Sequence, residues 1–243
     1  MDNAEWYVGW FNSPYYHLLY NNRNYDEANF FIDNLCRSLN LKSHASIWDL
    51  ACGKGRHAIA LNNLGFDVTG TDLAENSIDE ANLSANKTLE FVVHDMRESF
   101  RSNYFDAVFN LFTSLGYFKD YQDNFCVFKN VADSLKTGGV FVIDFFNSEK
   151  VMASFKSEYH EHRGDLHFDI QKKIENNAII KHIEFSDAGH NYYFEESVSL
   201  FKKSDFDAFA NAAGLSLVKC FGNYHLDPFD EKTSERLILI YKK

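Results

Sequence analysis

Concentrated positive charge is what this chain lacks most. Its 243 residues carry 24 Lys and Arg against 35 Asp and Glu, a net charge of −11, and no basic cluster exceeds two adjacent residues. Phosphate backbones are bound by dense positive surface, so duplex DNA or RNA is a poor expectation as substrate. No apolar stretch reaches membrane-spanning length, and the start, Met-Asp-Asn-Ala-Glu-Trp, has no basic segment followed by an apolar one. A cytoplasmic location and no membrane partner are therefore expected. The four cysteines, at 36, 52, 126 and 220, are scattered without metal-like pairing and read as reduced, mostly buried thiols. The ten histidines are spread thinly, five of them at 160, 162, 167, 182 and 190. They read as strand-surface residues, and no metal site is expected. Internal repeats and low-complexity segments are also missing. Hydrophobic residues are ample at 45%, enough for one large domain or a core domain with a small accessory one.

The most informative segment is Ser-Ile-Trp-Asp-Leu-Ala-Cys-Gly-Lys-Gly-Arg-His at 46–57. A short apolar run ends in an acid, a glycine-rich turn follows, and a helical pattern opens directly after it. Gly53 and Gly55 let the backbone turn tightly and approach a ligand closely. A second apolar run ends at Asp72, and a carboxylate there suits the two hydroxyls of a ribose. Together these features describe a nucleoside pocket at the carboxyl ends of two strands of an open α/β sheet. Gly53-x-Gly55-x-x-Ala58 also satisfies the loose dinucleotide fingerprint, so an NAD(P)-dependent oxidoreductase is a live alternative. Against it stand Asp49, which would repel a pyrophosphate, and a third acid, Asp95, after the third apolar run.

The order continues as Phe-Asp-Ala-Val-Phe-Asn-Leu-Phe (105–112), a helix, then Leu-Lys-Thr-Gly-Gly-Val-Phe-Val-Ile-Asp (135–144). Here the chain resembles the class I S-adenosylmethionine-dependent methyltransferases, over roughly 15–147 and again over 197–242. Asp-Leu-Ala-Cys-Gly-x-Gly-x-His, His-Asp-Met-Arg-Glu and Phe-Thr-Ser-Leu-Gly-Tyr look most like the branch acting on small molecules, including sugar N-methyltransferases. Ala51 departs from the superfamily's usual glycine. Proline occurs only at 14 and 228. Hence the Asn-Pro-Pro-Tyr-like motif of base amino-methyltransferases and the Pro-Cys pair of cytosine carbon methyltransferases are both absent, and Asn110-Leu111-Phe112 stands where the former would be.

The expected fold is α/β, a Rossmann-like, mostly parallel seven-stranded sheet with an antiparallel last strand, plus an inserted antiparallel β-sheet. Strands are predicted near 46–50, 67–71, 89–93, 105–111 and 139–145, and helices near 26–40, 56–64, 74–86 and 121–136. The alternation implies right-handed crossovers. From about 148 the pattern changes to polar–apolar alternation, punctuated by Asn176-Asn177 and Asp187-Ala188-Gly189, which are hairpin turn chemistry. Residues 150–201 are read as an inserted sheet, while 1–149 and 202–243 make the cofactor-binding core. The aromatic segment within 1–25 is either a lid or a packing element. Ser204 with an acid three residues on predicts a helix start, and a terminal hairpin over 215–222 and 235–242 is expected to supply the last strands. Exposed strand edges in the insertion allow a homodimer as well as an acceptor lid.

The resemblance implies S-adenosylmethionine as cofactor and a small-molecule acceptor, an amine or a hydroxyl. Ala51, Gly53 and Gly55 are expected to line the amino-acid end of the cofactor. Asp72 is assigned to the ribose, Leu73 to the adenine edge, and Asp95 and Met96 to either side of adenine. Asn110 falls beside the methyl donor. Arg23 is a candidate for the methionine carboxylate and Tyr16 for covering the cofactor from the same segment. Tyr117 is the candidate catalytic residue at the acceptor. Lys54 is expected to face solvent, because phosphate-loop spacing is missing. A third reading is a catalytically idle module that binds S-adenosylmethionine without an acceptor pocket.

Overall fold

A computed structural model describes residues 6–20 and 25–243. Short helices α1 (Trp6–Phe11) and α2 (Pro14–Leu19) precede α3 (Tyr25–Leu39). In α3, Ala28, Phe31, Ile32 and Leu35 recur at helical spacing and are buried, while Asp26 and Glu27 sit favourably in the first turn. Strands β1 (Ser46–Leu50), β2 (Asp67–Asp72), β3 (Leu89–Val93), β4 (Phe105–Asn110) and β5 (Leu135–Phe146) follow. Between them lie α4 (Arg56–Asn63), α5 (Glu75–Asn82) and α6 (Tyr121–Ser134). After α7 (Ser148–Ala153) come β6 (Glu158–Arg163), β7 (Leu166–Glu175), β8 (Ala178–Asp187) and β9 (His190–Ser199). The chain closes with α8 (Lys203–Ala212), β10 (Ser216–Phe221) and β11 (Arg236–Lys242).

The large sheet has seven strands in the order β10-β11-β5-β4-β1-β2-β3. Its first five sequential strands pair in parallel, and β11 runs antiparallel to both β5 and β10. Strand order reverses between β1 and β4, which opens a crevice at their carboxyl ends. Both faces are covered. Trp48, Val108, Phe141 and Phe206 lie in one apolar layer, and Ile47, Phe109, Val142 and Ile238 lie in the other. This double coverage is why the strands read as continuous apolar runs.

A second sheet of four antiparallel strands, β6-β7-β8-β9, is joined to the N-terminal helices by its own apolar cluster. Trp10 and Leu19 are buried there against Phe168, Ile170, Ile183 and Phe185. The inserted sheet thus begins after α7, slightly later than the composition change suggests.

Three boundaries differ from expectation, two of them for reasons visible in local hydrogen bonds. Helix α5 stops at Asn82, because Asn86 folds back onto Leu89 through backbone bonds and its Oδ1 accepts from the Thr88 amide. Strand β5 starts at Leu135 rather than near 139. The last long helix is capped at Lys202, not Ser204: the Asp205 carboxylate accepts from the Lys202 amide at 2.7 Å, while Asp207 bonds Lys203 and Tyr241 instead.

Candidate active site

The carboxyl ends of β1, β2 and β4 open onto a cavity of about 770 Å³. The loop after β1 shapes its floor. Ala51 has φ of +60°, Gly53 of +54° and Gly55 of +80°. Left-handed backbone is natural for glycine and costs about 1–2 kcal/mol at alanine, so Ala51 holds local strain beside the cavity it lines. Gly55 caps α4 without a side-chain bond and does not line the cavity. A Cβ on Gly55 would come within 2.5 Å of the Phe91 ring, and one on Gly70 within 2.6 Å. Phe91 therefore requires both glycines, and the role of Gly55 here is to admit that ring.

Asp72 ties this loop to the next. Its Oδ2 accepts from the Gly53 amide at 2.7 Å and its Oδ1 from the Ala74 amide at 2.9 Å. Each carboxylate oxygen has a second lone pair, so capacity for a ribose remains. Burial pushes the Asp72 carboxyl above its usual range, partly offset by those amides. Asp49, at the end of β1, is fully buried, and its Oδ2 has no hydrogen-bond partner among the described residues. Desolvation first, and the nearby Asp72 charge, push its carboxyl up to about 7. The carboxylate accepts from the Ala58 amide, and its other oxygen, left without a partner under the loop, is the kind of buried polar atom that points to function.

The other expected residues fall as follows. Leu73, Asp95, Met96, Tyr16 and Tyr117 all line the cavity together with Ala51, Gly53 and Asp72. The Asp95 carboxylate is heavily engaged: the Arg97 guanidinium donates to it at 2.6 to 3.1 Å and the Arg97 amide at 2.9 Å. Although partial burial opposes it, these bonds hold Asp95 below the usual carboxylate range. Asn110 is wholly buried behind the rim, where its amide donates to the Leu50 carbonyl at 3.0 Å. Tyr117 donates its hydroxyl proton to the Thr113 carbonyl, and its ring packs edge-on to Trp6. Lys54, expected in solvent, pairs with Glu80 at 2.6 Å and contributes to the wall. Arg23 lies outside the described residues.

Sequence reasoning missed the clamp at the switch point. Phe112 and Thr113, just past β4, have consecutive left-handed φ values of +66° and +64°. Asp144 at the end of β5 holds them: its carboxylate accepts from the Phe112 amide at 2.9 Å and its carbonyl from the Thr113 amide at 2.9 Å. Arg236 then donates to Asp144 at 2.8 Å and to the Thr113 hydroxyl at 3.0 Å. An acid ending β5 and an arginine opening β11 were the available signals. Such strain persists only where surrounding bonds over-determine it.

The far wall comes from the second sheet. Tyr159, Lys172, Ile179, Lys181, Glu196 and Val198 line it. Lys172 and Lys181 stand directly opposite across β7 and β8, and Lys181 opposite Glu196 across β8 and β9. Glu196 is buried and accepts from Trp10 Nε1, Tyr20 Oη and Lys181 Nζ, each at 2.7 Å. Burial works against its ionisation, but Lys181 and those donors win and keep its carboxyl low. His17 also lines the cavity, 3.2 Å from Ser77 Oγ, and burial lowers its imidazole to about 4. It is neutral at physiological pH.

Comparison with known proteins supplies the frame for this geometry. Residues 47–139 match the family described as a methyltransferase domain. A Bacillus subtilis protein that carries the name of a methyltransferase, YqeM, is 37% identical over 118 residues, 47% of this chain and 48% of its own length. The dTDP-3-amino-3,4,6-trideoxy-alpha-D-glucopyranose N,N-dimethyltransferase of Streptomyces venezuelae is 26% identical over 181 residues, 70% of this chain and 75% of its own. A solved S-adenosylmethionine-dependent methyltransferase from Clostridium acetobutylicum superposes with a TM-score of 0.79 at 22% identity, covering 94% of this chain and 95% of its own. The chain spans about half the length of the first curated relatives it matches, 48% and 57%.

Proposed function

We propose that this chain, whose residues 47–139 match a methyltransferase domain, is an S-adenosylmethionine-dependent methyltransferase that transfers a methyl group to a small-molecule amine or hydroxyl. One arrangement carries the reading: the Gly53 loop tied to Asp72, opening onto a single cavity whose far wall belongs to a separate sheet. That is a nucleoside site and an acceptor site in one space. An idle binding module needs no second wall. The donor set also fits the cofactor. Asp72 lines the cavity and Asp49 is buried just behind it, so the negative charge there suits a ligand that carries an ammonium and a sulfonium and is ill suited to a dinucleotide pyrophosphate.

Bound there, S-adenosylmethionine supplies an electrophilic methyl group on a positively charged sulfur. The protein contributes alignment and a closed space, which in favourable cases is worth about 7–11 kcal/mol. In this reading Ala51 and Gly53 would approach the amino-acid end, Asp72 would accept from the ribose hydroxyls, and Leu73 and Met96 would bracket the base. Asp95, already gripped by Arg97, keeps only its remaining lone-pair capacity for the adenine amine. The clamp of Asp144 and Arg236 fixes the strained turn between the two halves.

The acceptor enters between α1, α2 and the second sheet. Tyr117 orients it through the edge of its ring, because its hydroxyl proton is committed to Thr113. His17, held neutral near 4, is a weak base. Neither group is set to remove a proton from a hydroxyl, which favours an amine that arrives with a free lone pair. The likeness to a sugar N,N-dimethyltransferase supports the same choice.

Calorimetric titration with S-adenosylhomocysteine and with NAD tests the cofactor. Saturable binding of the first alone is expected, and saturable NAD binding without response to the first would end the reading. A screen of amine, hydroxyl and carboxyl metabolites for S-adenosylhomocysteine release then identifies the acceptor class.

A further inference from the structure

The outer face of the second sheet carries a cluster the cavity does not use. Strand geometry places it there. His160 and His162 are two apart on β6, and His167 and Asp169 are two apart on β7. Residues two apart share a face. The antiparallel register sets His160 opposite Asp169 and His162 opposite His167. Four candidate ligand side chains therefore occupy two adjacent rungs on the side of the sheet away from α1 and α2.

Their atoms converge. His160 Nδ1 lies 2.6 Å and His167 Nε2 3.0 Å from the same carboxylate oxygen, Oδ1 of Asp169. The other nitrogen of His167, Nδ1, is 3.1 Å from His162 Nε2. The side chains of His160, His167 and Asp169 are 61%, 46% and 54% exposed, so a solvated ion can reach them. We propose that His160 Nδ1, His167 Nε2 and the Asp169 carboxylate bind a divalent first-row transition ion such as Zn²⁺, with His162 orienting His167 from behind.

Chemistry and charge both favour this. Two imidazoles and a carboxylate are a ligand set for zinc and its neighbours, with room left for water. Donors about 2.1 Å from a tetrahedral ion lie roughly 3.4 Å apart, so the observed spacings need only a small opening of the cluster. A metal-bound imidazole normally gives its second nitrogen to a hydrogen-bond partner, the place His162 holds. Asp169 also stands directly opposite Glu184 on β8. Like charges so placed repel, and a cation relieves them. The ion would join the edge strand β6 to β7. Tyr159 precedes His160 but lines the cavity, so occupancy would stiffen a strand that supplies a cavity wall.

The test uses the full chain stripped of metal by chelator, titrated with Zn²⁺ alone by calorimetry and with Co²⁺ by visible absorption. One saturable equivalent per chain is expected, with Co²⁺ bands of a low-coordinate site and a raised Tm. The H160A/H167A double variant should bind at least ~100-fold more weakly, and H162A about 10–100-fold more weakly. All three positions are on the exposed face, and circular dichroism checks that the variants fold. No saturable binding by the parent protein would overturn the site and leave a hydrogen-bonded His-Asp-His surface cluster. An unchanged Kd in the double variant would overturn it too, assigning the ion to other histidines. Neither outcome depends on the methyltransferase reading.

Discussion

Replacing Asp49 with Asn should make the folded chain gain stability, relative to the parent, as pH rises. The reason lies in a buried carboxyl that burial pushes up to about 7 when folded, against about 3.8 for an ordinary, solvated aspartate. Between these two values the folded state holds a proton that the unfolded state has released. Stability therefore falls as pH climbs through this window. At about 1.4 kcal/mol per pH unit, the whole penalty slightly exceeds 4 kcal/mol at alkaline pH, and about 2–3 kcal/mol of it accrues between about pH 5 and pH 8. Asn cannot ionise, so its constant cost or gain cancels and only the slope remains. Urea unfolding of both proteins without ligand, at about pH 5, 6, 7 and 8, measures it. The difference between the two should move by about 2–3 kcal/mol in the variant's favour across that range. A difference that stays flat would refute the buried, unsatisfied carboxylate.

Three further outcomes follow from the same geometry. Asp72→Ala removes the tether to the Gly53 and Ala74 amides as well as the carboxylate proposed to accept from the ribose; at about 1.5–3 kcal/mol per charged hydrogen bond, S-adenosylhomocysteine affinity should drop at least ~100-fold by calorimetry while the circular dichroism spectrum is kept. Arg236→Ala leaves Asp144, which is 1% exposed, without its charged partner, so urea unfolding should show a loss of about 3–5 kcal/mol. Ala51→Gly relieves a left-handed alanine at an entropic cost, and the net should be a gain of about 0.5 kcal/mol in the same assay.

Much of the architecture was legible because parallel strands covered on both faces must read as apolar runs, and the helices between them as periodic ones. The two acids and two glycines around 49–72 stood out for a chemical reason, since few residues can turn that tightly; of the four, Gly53 and Asp72 line the cavity, while Asp49 and Gly55 lie behind it. What stayed hidden depends on distant partners. Nothing near Asp95 in the sequence says that Arg97 folds back over it rather than outward. The commitment of the Tyr117 hydroxyl to Thr113 follows from a left-handed turn that β-branched and aromatic residues rarely adopt. The clamp joins residues 92 positions apart in Asp144 and Arg236, and no local pattern marks such a pair. The cluster on β6 and β7 required the register, since a slip of one residue would send every histidine to the other face.

The third apolar cluster has a consequence for how the chain is made. Trp10 and Leu19 have no buried setting until Phe168, Ile170, Ile183 and Phe185 arrive beside them, and Trp10 and Tyr20 await Glu196. On a ribosome adding about 5–20 residues per second, α1 and α2 would be waiting on the order of ten to forty seconds for their partners. Through that interval an aromatic-rich stretch stands uncovered while β1 to β5 are already able to assemble. Pulse-labelled nascent chains stalled before β7 should accordingly be protease-sensitive within residues 6–20 and become resistant only after β9 has emerged.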